Sequence, residues 1–191
     1  MELMPIFVNG VTGEGLYAVV YDKQTINEFE RLFDLWDDTE YITHYLTENE
    51  NYLKSTYFKG ADIDDLVTQI LKEAEELEYL IQGYVSEGFE EGSKKLQMLF
   101  KPLHNKEFKL PLFQKTKAKI DNRRYFPKPI LRLYGLRISE NTFVVTGGVI
   151  KLTKNMEDHP DTEHELQKMI QVKEFLRQND FNSEEDLKIL L

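Results

Sequence analysis

The sequence predicts an α+β protein: a small, mostly antiparallel sheet with an N-terminal helical layer and a C-terminal helix. Three observations predict it. Residues 1–92 are acidic and mainly carry apolar side chains three and four apart, the spacing of helices that bury one face. Residues 93–180 are basic and hold runs of β-branched and aromatic residues cut by Gly, Pro and Asn, the pattern of short strands. No internal repeat or low-complexity linker divides the 191 residues, so one compact unit is expected.

The elements follow in order. Residues 15–21 (GLYAVVY) read as a strand after the glycine-rich GVTGEG turn. Thr25 then opens a capping-box pattern with Glu28, ahead of Phe29, Leu32, Phe33 and Trp36 at helical spacing. A second helix is predicted over about 39–54, from Tyr41, Ile42, Tyr45 and Leu46. Asp62 is placed to cap a longer helix to about Tyr84, with an apolar stripe from Leu66 to Ile81. Its other face, Glu73, Glu75, Glu76 and Glu78, reads as solvated. After a short helix or turn at 93–100, Lys115, Lys117 and Lys119 alternate and would share one face of a strand. ILRLYGLRI and TFVVTGGVIKLT form a hairpin through Ser139–Asn141, with Gly147 and Gly148 marking a bulge or a close backbone approach. Pro160 suits the first turn of the C-terminal helix, whose apolar face is Leu166, Met169, Ile170, Phe175 and Leu176. Ser183 is placed to cap a last short one.

Composition narrows the chemistry. Without cysteine there is no disulfide scaffold, thiol nucleophile or thiolate metal site. MELMPIFVNGV lacks the basic and apolar succession of a signal peptide, and the expected location is the cytoplasm. The formal net charge is −10, but it is unevenly spread. Residues 94–154 hold 15 Lys/Arg against 3 Asp/Glu, and the remainder holds 9 against 31. Such a split points to a polyanion-binding face, or to pairing between the two parts of the chain.

The candidate residues come from the basic part. Lys115, Lys117, Lys119, Arg123, Arg124 and Arg132, with Lys154, are the nucleic-acid-binding candidates, because arginine and lysine supply donors to phosphate. Tyr134 offers a ring to stack or a hydroxyl. His104 lies beside Lys101 and Lys106 and is a candidate proton carrier. Arg132 and Arg137 are an odd number of residues apart, so they face opposite sides unless a bulge intervenes. HPDTEH is not a zinc motif, GVTGEG lacks the ending of a phosphate loop, and no metal or cofactor site is expected.

RLYGLRI, then FVVTGGVIKLTK, then PDTEHEL, within residues 110–170, resemble the C-terminal part of RelE/HigB-type toxins of bacterial toxin–antitoxin systems. The resemblance implies a metal-independent endoribonuclease that cleaves messenger RNA, often on the ribosome, with a helix-turn-helix antitoxin as partner. It implies that Arg137 and Lys151 stabilise the phosphate, with Lys154 nearby. Residue chemistry makes Tyr134 or His104 the proton-transfer groups. The alternative is a non-catalytic nucleic-acid-binding or protein-interaction module whose basic sheet is masked by its acidic helices.

Overall fold

A computed structural model describes residues 1–55, 58–90, 94–103, 111–120 and 128–191. The chain is α+β, built on a six-stranded mixed sheet. In chain order its elements are β1 (Glu2–Val8), β2 (Gly15–Val20), α1 (Glu28–Asp37), α2 (Thr39–Glu48), α3 (Glu50–Ser55), α4 (Ile63–Gly88), β3 (Lys101–Pro102), β4 (Lys115–Ala118), β5 (Leu131–Arg137), β6 (Thr142–Ile150), α5 (Pro160–Gln178) and α6 (Glu184–Leu187). The strand order is β1-β2-β6-β5-β4-β3. Neighbours are antiparallel except β2 and β6, which run parallel over Gly15–Ala18 and Thr142–Val145. The N-terminal part therefore contributes a hairpin to the sheet as well as helices. β1 was not expected, because Pro5 and the acidic Glu2 obscure its alternation. As an edge strand, it tolerates both.

Alternation along the strands separates two cores. Leu16, Ala18, Leu131, Leu133, Phe143 and Val145 pack with Leu32, Trp36, Leu66, Ile70 and Leu77, so α1 and α4 cover one face. Tyr17, Val19, Leu136 and Val144 pack with Val172 and Leu176, so α5 covers the other. β5 and β6 join through the expected hairpin, with Ile138 N–H donating to Thr142 O at 2.9 Å. Their register shifts where Tyr134 faces Gly147 and Gly135 faces Val145, leaving Thr146 as the extra residue of a bulge on β6. Beyond it the two glycines admit close neighbours. A Cβ at Gly148 would lie 2.7 Å from Arg132 O and 2.9 Å from Trp36 Cη2, and one at Gly147 would collide with Glu165 Oε2.

Local capping corrects several boundaries. Asn27, not Thr25, caps α1, its Oδ1 accepting from Glu30 N at 3.0 Å. Glu28 is buried and committed to ion pairs, so the capping box does not form. The helix predicted over 39–54 breaks at Asn49, whose backbone N–H and side-chain amide both donate to Tyr45 O. Asp62 caps α4 as expected, accepting from Asp64 N at 2.9 Å. Among the described residues, no helix is long and apolar enough to cross a membrane.

Two helix faces differ from expectation. Glu73, read as solvated, is buried, and its carboxylate accepts from Ile130 N at 2.8 Å, Leu131 N at 2.9 Å and Gln69 Nε2 at 2.7 Å. It thus fixes the entry to β5 to the middle of α4. Burial pushes its pKa up, although these donors oppose the shift. On α5 the inward row is Glu165, Lys168, Met169, Val172 and Leu176, while Ile170 is half exposed.

Candidate functional site

β4, β5 and the residue after β6 bring the basic candidates together on the α5 face. Lys115 pairs with Leu136 and Lys117 with Tyr134, so both lysines stand on that face. Arg132, two residues before Tyr134, shares it. Lys151 extends β6 by one hydrogen bond, its N–H donating to Ile130 O at 2.9 Å. Arg132 uses Nη1 on Leu131 O at 2.6 Å and Pro129 O at 3.0 Å, which fixes the guanidinium in place. Lys117 Nζ donates to Leu103 O at 2.9 Å, and Lys151 Nζ donates to Asn155 O at 3.3 Å.

The cations of this cluster act on one another. Burial, then Arg132, then Lys117 push Lys151 down to about 8, against weaker opposition from Asp158 and Glu157. Burial, Arg132 and Lys119 also lower Lys117. Burial followed by Lys173 of α5 lowers Lys115. A cluster of partly desolvated like charges is unfavourable by itself and becomes favourable when an anion sits among them.

The other sequence candidates take different places. Tyr134 is 1% exposed and packs with Leu103, Val149 and Met169. It lies beneath the cluster and presents no open ring, and burial raises its hydroxyl pKa. Arg137 lies on the opposite face from Arg132, because the bulge is on β6 and leaves the parity of β5 intact. Its buried Nε has no hydrogen-bond partner among the described residues. Arg137 and Lys151 therefore lie on opposite faces of the sheet. Lys154 is exposed in the turn before α5. His104, Arg123 and Arg124 lie outside the described residues.

Next to the cationic cluster lies a buried ionic centre that the sequence reading missed. Lys168 Nζ donates to Glu28 Oε2 at 2.6 Å and to Glu165 Oε1 at 2.7 Å. Arg31 completes it, with Nε and Nη2 on the Glu28 carboxylate at 2.7 and 3.0 Å. The space left by Gly147 admits Glu165 and Lys168 to the sheet. The two carboxylates respond oppositely. Burial pushes Glu28 up, but Arg31 and Lys168 outweigh it and hold it below the ordinary Glu value. Burial raises Glu165 to about 7, because it shares one lysine and its Oε2 is buried without a partner among the described residues. Tyr21 closes the centre, donating from its hydroxyl to Thr146 O at 2.7 Å with Lys168 Nζ 5.1 Å from its ring centroid. The only sequence signal is a pair of opposite charges three apart in each helix, which usually marks a solvated face.

His159 caps α5. Its Nδ1 accepts from Asp161 N at 3.2 Å and its Nε2 meets Asn49 Oδ1 at 3.0 Å. An accepting Nδ1 places the proton of the neutral ring on Nε2, which then donates to Asn49. Burial and Lys151 keep the ring's pKa below the ordinary value, with Asp161 opposing. Asp161 also receives the Tyr45 hydroxyl at 2.7 Å, so α2 and the start of α5 are joined beside the cluster.

A cavity of about 410 Å³ lies between α4 and the β3–β4 end of the sheet. Leu80, Tyr84, Met98, Leu99 and Ile120 form its apolar lining, and Lys101, Lys117, Lys119 and Glu76 its polar lining. Here Glu76 of the acidic layer and Lys101, Lys117 and Lys119 line one cavity. No protein-family model, curated protein or solved structure matches the chain.

Proposed function

We propose that Lys117, Arg132 and Lys151 bind an RNA phosphodiester, and that the protein is a RelE/HigB-like endoribonuclease acting on messenger RNA, free or on the ribosome. The carrying observation is that strand register puts Lys117, Arg132 and Lys151 on one face of the sheet, where burial and the neighbouring cations push Lys151 down to about 8. Positive charge is concentrated there and partly stripped of water, with weaker carboxylate compensation. An incoming phosphate relieves that repulsion.

The cluster also suits the chemistry. In RNA cleavage the ribose 2′-oxygen attacks the adjacent phosphorus. The bond from phosphorus to the 5′-oxygen breaks, leaving a 2′,3′-cyclic phosphate and a 5′-hydroxyl. Arg132 and the charged form of Lys117 neutralise the phosphoryl oxygens. Lys151, protonated as the phosphate binds, gives a proton to the leaving 5′-oxygen, while water takes the 2′-hydroxyl proton. On this reading, a helix-turn-helix antitoxin is the expected partner.

The test is to incubate purified protein with free and ribosome-bound messenger in a metal chelator and to sequence the new ends. Cyclic-phosphate ends that disappear with Lys151→Ala support the reading. Intact messenger in both settings, together with harmless expression, refutes it. A second reading, non-catalytic RNA binding, is favoured by the burial of Tyr134, which removes one proton-transfer candidate from the cluster's surface. It predicts binding that falls steeply with salt and no cleavage.

A further inference from the structure

The cavity between α4 and the β3–β4 end of the sheet adjoins the cationic cluster through Lys117, which belongs to both. We propose that it is a nucleobase subsite, taking one unstacked base of the same RNA strand whose phosphate lies on Lys117, Arg132 and Lys151. This rests on the RNA reading above and adds to it the part of the ligand that the cations do not recognise.

The lining argues for a base. Leu80, Leu99 and Ile120 provide apolar surface, Tyr84 adds a ring, and Met98, 49% exposed, provides an adaptable rim. Lys101 and Lys117 are register partners on β3 and β4, so positive charge lies along the strand side. A single-stranded nucleotide has the same division, with a flat, largely apolar base on one side and an anionic phosphate on the other. Sites for single strands combine a basic track with aromatic or apolar platforms in this way. The volume of about 410 Å³ falls within the range of small-ligand sites, roughly 300–1,000 Å³. A purely electrostatic phosphate groove would not need the apolar wall.

The test compares a short single-stranded RNA oligomer with the same oligomer lacking its bases, on the full chain, by equilibrium titration at two salt concentrations. Wild type should bind the base-free oligomer roughly tenfold more weakly, the scale of one lost stacking contact. Tyr84→Ala and Met98→Ala should shrink that gap by weakening the intact oligomer alone, with the salt slope unchanged. Met98 is half exposed, so its variant keeps the test valid if loss of Tyr84 disturbs α4. Equal affinity of wild type for the two oligomers overturns the base subsite, as does a gap that neither variant narrows. Lys151→Ala tests the phosphate reading separately, because it should weaken both oligomers alike. If it weakens neither while base discrimination persists, the phosphate reading fails and the cavity stands. If wild type binds neither oligomer, both fall.

Discussion

The α5 face of the sheet carries two charge clusters side by side, and they are built on opposite principles. The centre at Gly147 holds Glu28, Arg31, Glu165 and Lys168 in short, buried pairs of opposite sign. The cluster at Lys117, Arg132 and Lys151 gathers one sign, closer to solvent, and ties its members mainly to backbone carbonyls. The first has its counter-charges inside the fold and joins α1 to α5. The second has weaker carboxylate compensation within the fold. On the proposed reading the first is structural and the second binds an anion.

The largest effect expected from this contrast is on Lys168. Lys168→Met leaves Glu28 and Glu165 buried with Arg31 as their remaining cation, and breaking a buried pair from one side typically costs about 3–5 kcal/mol. Denaturant unfolding should show that loss, while Lys151→Met leaves stability unchanged or slightly higher through relief of repulsion. Equal losses in the two variants would erase the distinction between the clusters.

The pH dependence sharpens it. Glu165 titrates near 7 in the folded protein, against an ordinary value of 4.5. Between those values the folded state keeps a proton that the unfolded state has lost, so this contribution is present below 4.5 and disappears as pH rises through 7. His159 has the opposite sign. Its folded pKa is depressed, so its contribution is present above the ordinary 6.5 and is lost as pH falls through the folded value. Glu165→Gln should remove the first slope from a stability–pH curve. His159→Asn, which retains a capping oxygen for α5, should remove the second. A curve unchanged by Glu165→Gln would mean that the carboxyl is not held in the protonated form by its burial.

A smaller effect, read in binding, concerns Lys151. Lys151→Ala should weaken RNA binding roughly ten- to a hundredfold, the scale of one charge-assisted phosphate contact of about 1.5–3 kcal/mol. In wild type, phosphate binding should raise the Lys151 pKa, so titration near pH 8 should show proton uptake on binding. Binding without proton uptake, and without loss in Lys151→Ala, would place the ligand elsewhere.

Several of these residues were legible in the sequence, and their arrangement was legible in part. Alternation alone put Lys115 and Lys117 on one face and separated Arg132 from Arg137, because the register of β4 and β5 follows parity. The hairpin and the glycine-marked irregularity in β6 were visible from turn chemistry. The parallel pairing of β2 with β6 was not, since nothing local in GLYAVV specifies a partner more than a hundred residues away. Buried charges were the least legible. In sequence Glu73 looks like Glu75, Glu76 and Glu78, and only the entry to β5, which donates its free N–H groups to it, sets it apart. Glu165 and Lys168 resemble an exposed helix pair, and only the missing side chain at Gly147 lets them face the sheet.

Lys154 gives the smallest effect and the cleanest control. It is exposed in the turn before α5, three residues after Lys151. If the cluster differs from ordinary surface charge because it is partly desolvated, then Lys154→Ala should cost only a few-fold in RNA affinity. That loss should be uniform across sequences, and it should lower the salt slope by about one. Lys151→Ala should lower the slope by a similar amount but cost more affinity at every salt concentration, because its charge acts in a drier setting where salt screens less. Parallel salt titrations of the two variants separate these contributions, and superimposable lines would reduce the cluster to ordinary surface charge.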